Sequence, residues 1–175
     1  MDKKTINFLK PTFFQAINIS KEWCHEWEDE LLSDEVFADR IGELINTRDG
    51  LRGFFAYTLS DINCTLLDKL PSSVLFKLRE KGENIVEIVV KNFIMSSAQV
   101  INHRRDKNIY NENLSKNISE RCLELLKNLD TKLVAKNINE IISKLDQMGN
   151  SFDKSSKFDN EQKSFIREEI IKISH

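Results

Sequence analysis

An all-α fold is predicted for this chain: a compact multi-helix bundle around a central hydrophobic helix near residues 83–105. Three observations predict it. Proline occurs only at Pro11 and Pro71 and glycine five times in 175 residues, whereas chains of short strands and tight turns use more of both. Apolar residues recur at spacings of three and four along most of the chain, which is the period of a helix face. The segment from Glu83 to about Arg105 is apolar over much of its circumference, as suits a helix packed on several sides.

The elements follow in order. Pro11 can open the first helix, where its missing N–H does no harm. Phe13, Ile17, Ser20, Cys24, Trp27 and Leu31 then form one stripe, and this helix is expected to end near Leu32. Ser33 is a good N-cap, and Asp34 and Glu35 fall in the first turn, where the helix dipole favours negative charge. Val36, Phe37, Ile41, Leu44 and Ile45 give the second helix its apolar side, with a stop expected near Asn46. Thr47-Arg48-Asp49-Gly50 reads as a turn. Leu51–Leu59 admits a strand or a helix; the helix is preferred, because no partner strand is evident and a lone strand leaves its backbone groups unsatisfied. A connection or short helix leads from Ser60 toward Leu70, and Pro71-Ser72-Ser73 starts a helix that Gly82 stops.

Along the central segment, Val86, Val89, Val90, Phe93, Ile94, Ser97, Val100 and Ile101 share one broad face. The β-branched run Ile85–Val90 also resembles a buried strand, but the helical period continues beyond strand length. Arg104 and Arg105 place positive charge at the helix end. A polar loop is expected through Asn113. Leu114, Ile118, Cys122, Leu125 and Leu126 mark a further helix. Asp130 caps another with Leu133, Val134, Ile138, Ile141, Leu145 and Met148, the two forming an α-hairpin. Residues 149–158 form a polar connection anchored by Phe152 and Phe158. Asp159-Asn160-Glu161-Gln162 resembles a capping box before a C-terminal helix.

A single domain over residues 1–175 is expected, of about six to eight helices. Hydrophobic residues are 40% and charged residues 31% of the chain, the balance of a folded protein. Cys24, Cys64 and Cys122 show no CxxC pair and suit reduced, buried thiols; no metal or other cofactor is implied. Residues 1–10 lack the apolar stretch of a secretory leader. The run Ile85–Val90 is broken by Glu87 and followed by Lys91, so it does not span a membrane. The resulting expectation is a bacterial, cytoplasmic protein.

Three groupings of residues could carry chemistry. Asn92, Ser96, Gln99 and His103 line one edge of the central helix, where bundles place ligand pockets. His103 could serve as a general base or hold an anion with Arg104. The plainer interpretation is a hydrated edge or an internally satisfied network. Arg48 and Arg52 flank a glycine turn that could hold a phosphate or carboxylate, although no phosphate-loop pattern accompanies them; a structural turn accounts for them equally. Trp23-Cys24-His25-Glu26-Trp27 suggests a metal site, but adjacent helical residues point about 100° apart, so packing is the simpler account.

Charge is uneven. Residues 21–46 carry nine acids, Glu22, Glu26, Glu28, Asp29, Glu30, Asp34, Glu35, Asp39 and Glu43, against Lys21 and Arg40. Residues 48–107 carry ten bases against seven acids. An acidic 21–46 surface suits a basic protein partner or a head-to-tail homo-oligomer, although solvated helix faces are often acidic too. The net charge of −2 argues against nucleic acid as the main partner, leaving a weak contact through Arg104, Arg105 and the Arg48 segment as its only route. No hydrolase, zinc-protease, calcium-loop or kinase signature is present. The expected function is therefore a non-enzymatic interaction or regulatory module, with a small-ligand or enzymatic pocket beside the polar edge as the alternative.

Overall fold

A computed structural model describes residues 10–147, 151–153 and 156–173, with side chains described over 10–143 and 158–173. The fold is all-α, with eight helices among the described residues: α1 (Phe13–Glu28), α2 (Asp34–Leu44), α3 (Arg48–Ser60), α4 (Ser72–Glu80), α5 (Glu83–Arg105), α6 (Ile109–Asn128), α7 (Thr131–Gln147) and α8 (Asn160–Ile171). Within the polar connection, β1 (Ser151–Asp153) and β2 (Ser156–Lys157) form a minimal antiparallel pair, a feature the polar composition did not announce. The expectations for Leu145, Met148 and Phe152 lie outside the described side chains. The chain divides into two compact units, Met1–Glu80 and Lys81–His175.

In the first unit, α1 packs on α3 and α2 packs on α4. The core holds Ala16, Ile19, Cys24, Phe37, Ile41, Leu44, Phe54, Phe55, Leu66, Val74 and Leu78. The start of α1 departs from expectation. Thr12 is the N-cap and forms a capping box with Gln15, so Pro11 precedes the helix rather than opening it. The helix also ends earlier, at Glu28, and Glu30 adopts a positive φ of 60°. Leu31 thus leaves the predicted stripe and is 73% exposed. Val36 likewise faces outward, because α2 buries Phe37, Ala38, Ile41 and Leu44 instead.

Residues 47–50 are the start of α3 and not a turn. Thr47 caps it by accepting the Gly50 N–H at 3.0 Å. The two glycines here serve packing. A Cβ on Gly53 would come within 2.4 Å of the Ala16 Cβ and 2.9 Å of α1 backbone, and one on Gly50 within 1.9 Å of the Leu44 carbonyl oxygen. Only a bare backbone lets α3 approach α1 this closely.

In the second unit α5 is central, with α6, α7 and α8 packed around it. All eight residues of its predicted apolar face are buried, and so are Ile85 and Ala98. By length and hydropathy α5 would suffice to cross a membrane, yet 61% of its most apolar window is buried within the protein, as in a core helix. The loop expected through Asn113 is shorter. Asn108 caps α6 by accepting the Asn111 N–H, so the helix begins at Ile109. Asp130 caps α7, accepting the N–H groups of Lys132 and Leu133. α7 packs mainly on α5 and less on α6, so the expected α6–α7 hairpin is secondary to α5. Asp159 and Gln162 form the predicted capping box of α8, and Phe158 is buried.

Candidate functional site

The polar edge of α5 spends much of its hydrogen bonding on its own helix. The Asn92 amide donates to the Ile88 carbonyl at 2.8 Å, and the Ser96 hydroxyl to the Phe93 carbonyl at 3.0 Å. Gln99 is exposed and accepts from the Asn102 amide at 3.3 Å, while His103 is half-buried. Side chains that return to their own backbone have less capacity for a ligand.

The arginines are engaged as well. Arg104 meets Glu112 at 3.2 Å and lies 5.7 Å from the Phe165 ring centroid. Arg105 clamps Asp159 and Glu161 at the start of α8, with its Nε 3.0 Å from Glu161. Arg52 pairs with Asp49 at 3.5 Å and sits over Phe13. Arg48 is exposed on the first turn of α3. Since that turn is helical, Arg48 and Arg52 do not flank a phosphate-binding loop.

The closest polar network of the second unit lies one turn from the predicted edge. The Gln162 amide donates to the Ala98 carbonyl at 3.2 Å and to the Asn102 side chain at 3.0 Å, joining α8 to α5. Ser97 and Ser119 share a buried hydrogen bond of 3.0 Å between α5 and α6. Both links are structural, and their partners are too distant in sequence for spacing to reveal them.

The first unit carries a groove of about 770 Å³ where α1 ends and α2 begins. Trp27, Glu28, Glu30, Leu32, Ser33, Asp34, Thr65 and Lys69 line it. The early end of α1 creates it, by turning the chain at residues 29–33. Its walls are fixed by polar contacts. The Trp27 indole N–H donates to Asp34 at 2.7 Å, and its ring stacks on Phe37 with centroids 5.4 Å apart. Glu28 accepts both the backbone N–H and the hydroxyl of Thr65, at 2.8 and 2.9 Å. Glu30 makes no side-chain hydrogen bond or ion pair among the described residues. Trp27 and the acidic stretch stand out in the sequence; Thr65 and Lys69 do not, because only the fold carries them across to α1.

Next to the groove, Arg40 bonds Glu26 at 2.8 Å and lies 5.6 Å from the Trp23 ring centroid. Cys24 and Cys64 are both buried, and neither is in a disulfide. The neighbouring Cys64 thiol, burial and the Glu28 charge all push the Cys24 thiol's pKa up, and burial does the same to Cys122. Thiols held protonated in this way are poor nucleophiles. No group of three His, Cys, Asp or Glu side chains able to hold a metal ion occurs among the described residues.

A family described as "Uncharacterised conserved protein UCP020893" matches residues 12–173. The chain belongs to this family. No curated protein and no solved structure matches it.

Proposed function

We propose that this member of the family is a non-enzymatic interaction or regulatory module whose partner surface is the acidic face of α1 and α2. The observation that carries the proposal is the α1–α2 junction. There the exposed apolar side chains Leu31 and Val36 stand among the carboxylates of Asp29, Glu30, Asp34 and Glu35, all exposed. An apolar patch rimmed by charge of one sign is the usual form of a docking surface for a partner of the opposite sign. Further support comes from Asn92 and Ser96 of the α5 edge, whose side chains are bonded to their own helix backbone.

Affinity purification tests this when wild type is compared with the triple variant E22K/E35K/E43K, whose three positions are exposed and lie outside the groove. Wild type is expected to retain a set of basic proteins that salt of about 0.3 M releases. The variant is expected to lose that set. A wild-type protein that retains nothing, or a set identical in the variant, would overturn the proposal.

A further inference from the structure

We propose that the groove at the α1–α2 junction receives an arginine side chain from the partner. This rests on the interaction surface proposed above and names the group that its central groove recognises.

Charge selects a cation. Among the described residues, Glu28, Glu30 and Asp34 line the groove against a single cationic side chain, Lys69. Shape and chemistry then favour arginine over lysine. Trp27 supplies an aromatic wall, and a guanidinium stacks on an aromatic ring while its planar fork bonds carboxylates on its edge. The carboxylates are set in advance: Asp34 is held by the Trp27 indole, and Glu28 by Thr65. Groups fixed before binding lose less freedom when the guest arrives. Glu30 is left as the carboxylate without an internal partner among the described residues.

The same unit already holds an arginine by this combination. Arg40 takes Glu26 along its edge and the Trp23 ring against its face. Trp27 and its carboxylates repeat that pairing one helical turn further along α1, with a groove in place of the internal arginine.

The test uses the full chain and three small probes: N-acetyl-arginine amide, N-acetyl-lysine amide and N-acetyl-citrulline amide. The readout is the NMR signal of the Trp27 indole N–H, assigned by its persistence in Trp23→Phe. The arginine probe is expected to shift it saturably, with a Kd of about 1–10 mM for one anchoring side chain. The lysine probe is expected to bind at least about five-fold more weakly, and the citrulline probe to give no saturable shift. Glu30→Gln, on an exposed side chain that a folded chain tolerates, is expected to weaken the arginine probe by about five-fold, and Glu168→Gln, exposed on α8, to leave it unchanged. No saturable shift by about 20 mM, equal binding of lysine and arginine, or indifference to Glu30→Gln would each overturn the proposal. Retention of basic proteins by wild type and their loss in the triple variant, with no response at Trp27, would sink the arginine groove and leave the acidic docking surface standing. Failure of both experiments would remove both.

Discussion

Single atoms set the packing at Gly53 and Gly42, and the two glycines call for opposite outcomes. A methyl at Gly53 meets the Ala16 Cβ and the backbone of α1, which cannot yield without moving the helix. Gly53→Ala is expected to cost about 1–3 kcal/mol of stability, read as a lower denaturant midpoint. A methyl at Gly42 meets the Lys77 Cδ at 3.2 Å, part of a flexible side chain that can shift. There the gain in helix propensity dominates, so Gly42→Ala is expected to be neutral or to stabilise by up to about 1 kcal/mol. Equal losses at both sites would show that the α1–α3 contact is not the constraint. Ser97 and Ser119 test a buried polar link in the same way. Each hydroxyl is buried and they bond each other at 3.0 Å. Ser97 also donates to the Phe93 carbonyl at 2.8 Å, so Ser119 is the donor between the two hydroxyls. Ser97→Ala, which strands the Ser119 hydroxyl, is therefore expected to cost about 1–2 kcal/mol, Ser119→Ala less, and the double variant less than the sum.

At the scale of elements, α8 is fastened to α5 by charge as well as by Ile166 and Ile170. The Arg105 guanidinium, then the Gln162 backbone N–H, hold the Asp159 carboxyl down at about 2, against an ordinary 3.8. A carboxyl whose folded value lies below its unfolded one stabilises fully above the unfolded value, and that contribution is lost as pH falls toward the folded value. The fastening of α8 is therefore expected to weaken between about pH 4 and pH 2, seen as faster amide exchange in α8 at low pH. Arg105→Gln is expected to bring that exchange on already at neutral pH. An unchanged α8 in that variant would mean that Gln162 and the apolar contacts suffice. The helix itself was readable from sequence, because a capping box and an apolar stripe are local. So was α5, whose long period left one solution, and so was Ser33 as a cap. The errors fell where polar residues play helical roles. Asn108 and the first turns of α6 look like loop until Asn108 is seen capping Asn111. Arg48-Asp49-Gly50 looks like a turn until Thr47 is seen capping Gly50. The groove was half legible: its acids and Trp27 are contiguous, whereas Thr65 and Lys69 join them only through tertiary structure.

For the molecule as a whole, the division at Glu80 and Lys81 separates two sets of core residues. The acidic stretch 21–46 belongs to the first unit, and the helices that pack around α5 belong to the second. α5 packs against α6, α7 and α8, whose buried apolar residues include Cys122, Leu125 and Leu126, Ile138 and Ile141, and Ile166 and Ile170. Lys136 further pairs with Glu83 at 2.7 Å, and Gln162 with Ala98 and Asn102. A segment of this size with its own core and its own polar ties meets the usual conditions for independent folding. The fragment 81–175 is therefore expected to be helical by circular dichroism and to melt in one cooperative transition. It is also expected to lack the basic partners retained by the full chain, since the acidic surface of α1 and α2 is absent from it. A fragment with a broad, non-cooperative melt would show that the second unit depends on the first. A folded fragment that kept the same partners would move the interaction surface away from α1 and α2.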